Sequence, residues 1–221
     1  MFPEEPQAIP EESVRNIERM LMSMDGHLAD QVRLRFGLER VVEYLYAARM
    51  QQRRIDEYLY TPSESPARAS RFPTDRGAAL CEAHFYFICW DSIYKVIENL
   101  RRTCYGLVTP REVLKRHRPS LEKYRHARDH LEHFPERLPG QKRTDWKGDS
   151  NSITGSVAGI RRDGMFVFQG EVWDVTQAGV DLLDIIVSEF IAGVLSEVTA
   201  RHESFLNGES AMWAVRDKSH G

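Results

Sequence analysis

The segment Ala78 to Leu100, AALCEAHFYFICWDSIYKVIENL, constrains the fold of this chain more than any other stretch. Large apolar side chains recur along it at helical spacing and cover much of a helix's circumference: Phe85, Phe87, Ile88, Trp90, Ile93, Tyr94 and Ile97. A helix that is apolar on several sides contacts several neighbouring helices or a partner subunit. The sequence therefore predicts a central helix, capped by Asp75 and running to about Tyr105, with other helices packed around it.

Helical periodicity on both sides of this segment predicts the neighbouring helices. They are expected over Glu11–Met24, about Leu28–Tyr60, Thr109–His117, Leu121–Phe134, and a long stretch after the capping segment Asp174–Gln177. Thr109-Pro110-Arg111-Glu112 fits a capping box, whereas Pro119-Ser120 predicts a break between the two middle helices. The segment Thr61–Thr74 is rich in Pro and Ser and predicts a loop.

The periodicity changes between about residues 152 and 173. Ser152–Ile160 and Met165–Gln169 alternate in polarity or carry β-formers, and Asp163-Gly164 between them is a strong turn signal. Glu171–Trp173 is expected to extend the second strand. These features predict a small β-hairpin inserted between helices.

The sequence therefore predicts a mainly α protein, a helical bundle with a small β-hairpin insertion. We expect one domain over residues 11–207, preceded by a disordered lead-in at 1–10 and followed by a polar tail at 208–221. Its formal net charge of -3 excludes a globally basic nucleic-acid binder, although a local basic patch is compatible with it. Three cysteines in helical patterns argue against a disulfide framework. Without a long apolar run or a signal peptide, the expectation is a cytoplasmic protein with no membrane partner.

The stretch Tyr124–Leu138, YRHARDHLEHFPERL, carries the densest set of ionisable groups. On an ideal helix Leu131 lies at the centre of an apolar stripe, while Asp129 and His133 lie toward the outer side. Histidine exchanges protons near neutral pH, and arginine offers a planar fork of donors to phosphate oxygens. These groups therefore suit cleavage of an RNA phosphodiester without a metal.

Basic residues also cluster before this stretch. The positions expected to bind RNA phosphates are Arg116, Arg118, Lys123 and Arg125. They belong to a notably basic part of a mildly acidic chain. Such a local patch is compatible with an RNA backbone approaching here.

The sequence Arg128-Asp129-x-x-x-His133, late on a helix of a mainly helical protein, resembles the motif of the HEPN superfamily. Its members are short helical bundles in which a catalytic arginine precedes Asn, Asp or His, with a histidine after four to six intervening residues. Many are metal-independent endoribonucleases that act as toxins or in antiviral defence. The resemblance implies that Arg128 stabilises the phosphate, that Asp129 is a polar orienting residue and that His133 transfers protons. It implies a reaction that uses no cofactor. It also implies RNA as a partner, a homodimer with a composite site, and an antitoxin.

Several alternatives stay open from the sequence. Arg125-His126-x-x-x-His130 fits the same pattern three residues earlier. His126 and His130 also have the one-turn spacing of zinc ligands, and Cys81-x-x-His84 would add more. A further alternative, from another class of function, is a non-catalytic helical binding or scaffold protein.

The catalytic hypothesis carries a geometric condition. An ideal helix places Arg128 and His133 about 140° apart around its axis. The two side chains therefore reach one phosphate only through a distorted helix end or with the help of a second subunit.

Overall fold

The fold was analysed in a computed structural model, which describes residues 28–60, 72–104, 106–132, 159–161, 163–168 and 170–206. In chain order the elements are α1 (Leu28–Tyr60), α2 (Phe72–Thr103), α3 (Thr109–Glu132), β1 (Gly159–Ile160), β2 (Met165–Phe168), β3 (Glu171–Asp174) and α4 (Gln177–Leu206). The prediction of a mainly α fold with a small β insertion is confirmed. None of the helices in these ranges combines the length and apolarity needed to cross a membrane.

Helix α2 is the central element, as its apolar pattern predicts. It packs most extensively against α1 and then against α3, and it also touches β1. Trp90, Phe87 and Ile93 are fully buried in one core that takes side chains from all four helices and from the sheet. Gly37 of α1 allows close approach to α2, because a Cβ there would lie 2.7 Å from the Leu100 side chain.

Helix α3 runs without a break through Pro119, so the predicted interruption at Pro119-Ser120 is wrong. A proline inside a helix removes one backbone hydrogen bond and costs about 3 kcal/mol. Leu114 and Leu121 flank it and lie on one face of α3, where both are buried. Tertiary packing on both sides of the proline therefore outweighs the local preference for a break.

The β insertion is a three-stranded antiparallel sheet in the order β1-β2-β3. The predicted turn at Asp163-Gly164 is confirmed, and Gly164 has a φ of 75°. The prediction that Glu171–Trp173 extends the second strand is wrong. Gly170, with a φ of 83°, reverses the chain instead, and β3 pairs with β2 so that Trp173 lies opposite Phe166. Glycine is the residue that most readily adopts such a conformation.

Two predicted boundaries shift. Helix α2 begins at Phe72, before the predicted cap Asp75, and so takes the last residues of the predicted loop Thr61–Thr74. Pro73 lies in the first turn of α2, where a missing N–H has no helical partner to lose. The lead-in 1–10, the helix Glu11–Met24, the strand residues 152–158 and the tail 208–221 lie outside the described residues.

The start of α3 is held by a carboxylate from α4. Glu197 accepts hydrogen bonds from the backbone N–H of Val108 at 2.8 Å, from the N–H of Thr109 at 2.5 Å, and from the Thr109 hydroxyl. Val108 accepts the first helical hydrogen bond, from the N–H of Glu112 at 3.1 Å. The predicted capping box at Thr109 is therefore wrong. Glu197, which is distant in sequence, accepts hydrogen bonds from the backbone N–H groups that have no partner within the helix.

Replacing Glu197 with alanine is expected to lower the free energy of unfolding by about 1–2 kcal/mol, the usual effect of losing a helix N-cap. Urea denaturation followed by circular dichroism measures it. Glu203→Ala is the matched control, because Glu203 lies exposed on the same helix. Equal stability of the Glu197 and Glu203 variants would contradict the capping role.

Candidate functional site

Arg128 lies at the edge between α3 and α2 and is held by two carboxylates. Its Nη1 donates to Oδ2 of Asp91 at 2.6 Å, and its Nη2 donates to Glu132 one turn later on α3. The Arg128 side chain is 20% exposed. The hydrogen bond to Glu132 is the main cause of a raised Arg128 pKa, and Asp91 adds to it, against the opposing effect of desolvation. The guanidinium is therefore permanently charged, fixed in direction and open to solvent on one side.

Asp91 is the buried centre of this arrangement. Besides Arg128, the Nζ of Lys95 lies 2.6 Å from its Oδ2, and the Nε of Arg125 lies 3.8 Å from its Oδ1. Arg125 also lies over the ring of Tyr94, 5.8 Å from its centroid. A buried carboxylate is stable only when it is well paired. Three cations from two helices therefore converge on one anion, which no motif in the sequence marks.

Of the two remaining catalytic candidates, Asp129 lies within the described residues and His133 does not. Asp129 is partly exposed next to Arg128, with its Oδ1 3.7 Å from the arginine Nη1. His133 lies outside the described residues, which end on this helix at Glu132. The convergence of Arg128 and His133 on one phosphate therefore stays a prediction.

The four predicted phosphate-binding residues do not form one patch. Arg116 pairs with Glu189 of α4, whereas Arg125 faces Asp91 of α2. Arg118 lies 3.8 Å from Glu122 on its own helix. Lys123 has an exposed side chain, and its backbone carbonyl accepts a hydrogen bond from the indole of Trp173 at 2.7 Å. Of the four, Arg125 lies nearest to Arg128.

The alternative register and the metal hypothesis share His126 and His130. His130 is buried, with its ring 4.9 Å from that of Phe168 and 5.7 Å from that of Trp173, whereas His126 is exposed. The two histidines therefore do not face one site. Within the part of the chain that the structure describes, no group of three or more His, Cys, Asp or Glu side chains could hold a metal ion.

A second histidine, His84 of α2, belongs to the surroundings of Arg128. Desolvation lowers its pKa, Glu132 acts to raise it and Arg128 acts to lower it. Its Nε2 is buried and has no hydrogen-bond partner among the described residues. In the sequence, His84 stands out only through its spacing from Cys81 in the metal hypothesis. The sequence feature that relates His84 to this edge is its spacing from Asp91. Seven residues are about two helical turns, so His84 and Asp91 lie on one face of α2.

Comparison with known proteins gives no further support to any assignment. No family model matches this sequence, and no curated protein or solved structure is detectably similar to it. The resemblance to the HEPN superfamily therefore depends on the motif around Arg128 and on the helical architecture alone.

Proposed function

We propose that this protein is a metal-independent endoribonuclease of the HEPN type. In this proposal Arg128 binds the scissile phosphate and stabilises its growing charge, His133 transfers a proton, and Asp129 orients the reacting groups. The observation that carries the proposal is the fixed, partly exposed guanidinium of Arg128, held by the buried Asp91 and by Glu132.

The physical argument is preorganisation. A guanidinium has five N–H donors, and the hydrogen bonds to Asp91 and Glu132 account for two of them. A cation whose direction is fixed before the substrate arrives stabilises charge in the transition state without having to reorganise. Arg125 and Lys95 beside Asp91 add positive charge close to the same edge.

The proposed reaction is an internal transfer of the phosphate. The 2′-oxygen of a ribose loses its proton and bonds to the adjacent phosphorus, and the bond from phosphorus to the 5′-oxygen of the next nucleotide breaks. The products are a 2′,3′-cyclic phosphate and a 5′-hydroxyl. A homodimer, in which α3 helices from two chains face each other, is the assembly proposed to bring His133 of one chain to Arg128.

The pure protein is expected to cleave single-stranded RNA in the presence of EDTA and to leave cyclic phosphate ends. Gel electrophoresis of labelled RNA, with chemical analysis of the product ends, measures both properties. His133→Ala should abolish cleavage. The exposed His126 offers a matched control, since His126→Ala should retain it. Loss of cleavage in EDTA, or 3′-hydroxyl ends, would contradict the proposal.

A non-catalytic binding or scaffold protein is the second candidate. It is favoured by the pairing of Arg116, Arg118, Arg125 and Arg128 with carboxylates, which is also what structural ion pairs require. Expression in a bacterial host separates the two candidates. A nuclease should arrest growth and its His133→Ala form should not, whereas a scaffold should give the same growth in both cases.

A further inference from the structure

Asp91, Lys95, Arg125 and Arg128 form one group of charges at the edge between α2 and α3, the Asp91 cluster. The carboxylate of Asp91 is 3% exposed, whereas the side chains of Lys95 and Arg125 are about half exposed. The buried acid thus fixes cations that remain open to solvent. An ammonium has three N–H donors and a guanidinium has five, so these cations keep donors for another acceptor.

A second group of the same construction, the Glu98 cluster, lies near the C-terminal end of α2. Glu98 is 13% exposed and accepts hydrogen bonds from Nε and Nη2 of Arg101, both at 2.7 Å, and from Nε of Arg102 at 2.9 Å. The hydrogen bond from Arg101 is the main reason that the pKa of Glu98 is lowered to about 2, against the opposing effect of desolvation. Two arginines therefore face one ionised carboxylate, and Arg102 is 67% exposed.

The two clusters lie on one face of α2. Asp91 and Glu98 are seven residues apart, which corresponds to about two helical turns and about 10 Å along the axis. Lys95 lies between them in the sequence and pairs with Asp91 at 2.6 Å. On α3, Arg118 and Glu122 are 3.8 Å apart and together add no net charge to this face. The clusters therefore form a row of exposed cations along α2, with their carboxylates largely buried.

Acidic groups of α3 give the row a direction. Asp129 and Glu132 are partly exposed beside Arg128, and both follow it toward the end of α3. Helices α2 and α3 are antiparallel, so the Glu98 cluster lies in the opposite direction from Arg128. A polyanion bound at Arg128 therefore meets carboxylates on one side and surplus positive charge on the other.

We propose that the Glu98 cluster is a second phosphate-binding site, which holds the RNA strand whose scissile phosphate lies at Arg128. The inference rests on the endoribonuclease function proposed above for the position of that first phosphate. The strand runs along α2 from the Asp91 cluster, past Lys95, to Arg101 and Arg102. These residues bind backbone phosphates, which every nucleotide has, so the contact is independent of base sequence.

The chemistry of the row favours a nucleic acid over an acidic protein segment. Phosphates repeat regularly along one strand, and the row offers two separate cationic clusters on one helix face. The planar fork of arginine matches the oxygens of a phosphate. The row is also continuous with Arg128, since Lys95 and Arg128 both lie 2.6 Å from the same oxygen of Asp91.

The test measures binding of an uncleavable 2′-O-methyl oligoribonucleotide by fluorescence anisotropy at a series of salt concentrations. Each phosphate contact contributes about 0.7 to the slope of log Kd against log salt for a single strand. Arg102→Gln should lower the slope by about this amount, while Glu98 keeps Arg101 as a partner. Arg102→Lys keeps the charge and should keep the slope. Arg40→Gln is the matched control, because Arg40 is an exposed arginine paired with Glu43 on α1.

A second measurement uses the wild type alone and so does not depend on the folding of a variant. A dinucleotide with a single phosphate can occupy only one cluster, so its slope should be about 0.7. A strand long enough to span both clusters should give a slope of at least about 1.4. Equal slopes for the two oligonucleotides would overturn the second site.

Cleavage kinetics distinguish binding from catalysis. The Glu98 cluster contacts a phosphate away from the bond that breaks, so it binds substrate and transition state equally. Arg102→Gln should therefore raise KM for a long RNA and leave kcat unchanged. A fall in kcat without a change in KM would overturn the assignment as a binding site.

The outcomes also separate this inference from the proposed function. An Arg102→Gln protein that cleaves RNA with the salt slope and KM of the wild type overturns the second site and leaves the endoribonuclease standing. A wild type that shows both slopes but cleaves no RNA overturns the endoribonuclease and retains the phosphate-binding site. An oligoglutamate of equal charge that binds as tightly as the oligonucleotide overturns the assignment to nucleic acid.

Discussion

Replacing Arg128 with alanine is expected to lower kcat/KM for RNA cleavage by about 10²- to 10³-fold, the usual effect of removing one preorganised donor to transition-state charge. Arg128→Lys should recover little, because lysine keeps the charge and loses the planar fork. Initial rates on labelled RNA measure both variants. Arg40→Ala is the matched control, since Arg40 is ion-paired with Glu43 on the exposed face of α1.

The substitution at Arg128 also has a structural effect that must be separated from catalysis. Asp91 loses one of its partners, and we expect the free energy of unfolding to fall by roughly 1–3 kcal/mol. Adding Asp91→Asn removes the buried charge and should recover part of this stability. Recovery of cleavage in the double variant would contradict a direct role for Arg128, because the loss in the single variant would then follow from instability.

Replacing Trp173 with alanine is expected to lower the free energy of unfolding by about 3–5 kcal/mol, the range for large aromatic residues in a core. Trp173 is fully buried and lies opposite Phe166 in the sheet, with its ring centroid 6.4 Å from that of Phe87 on α2. Its indole also donates to the carbonyl of Lys123. Urea denaturation provides the measurement.

Two further variants resolve this effect into its parts. Trp173→Phe retains most of the packing and removes the indole N–H, so an intermediate loss is expected. Val172→Ala changes the neighbouring residue on the exposed face of β3, where a small effect is expected. A Trp173→Ala protein as stable as Val172→Ala would show that the sheet contributes little to the core.

The helical architecture was predictable because its signal is periodic and long. Phe87, Trp90 and Ile93 recur at helical spacing, and all are fully buried in the central helix. The break expected at Pro119 failed because a single residue's preference is local, while the burial of Leu114 and Leu121 involves the whole fold. The third strand was missed because a single glycine within a strand pattern fits either a bulge or a turn, and the φ of 83° at Gly170 identifies the turn.

The candidate site was predictable only along one helix. The motif around Arg128 is contiguous in sequence, so the sequence identifies Arg128 and Asp129 together. Asp91 and His84 lie on another helix, in the most apolar segment of the chain, where polar residues are easily assigned to the core. Their relation to Arg128 arises from the antiparallel packing of α2 and α3. That register follows from tertiary contacts, and periodicity carries no information about it.

Helix α3 is hydrogen-bonded to its neighbours at its first residue and again just past its middle, which has a consequence for the entropy of binding. Glu197 of α4 holds its first residue, and farther along the carbonyl of Lys123 and the hydroxyl of Tyr124 are bonded to the side chain of Trp173 and the carbonyl of Asp174 in β3. The segment of α3 that carries Arg128 is therefore already ordered in the folded protein. An anion that reaches Arg128 meets a helix already fixed in place, so binding need not include the conformational entropy cost of ordering it.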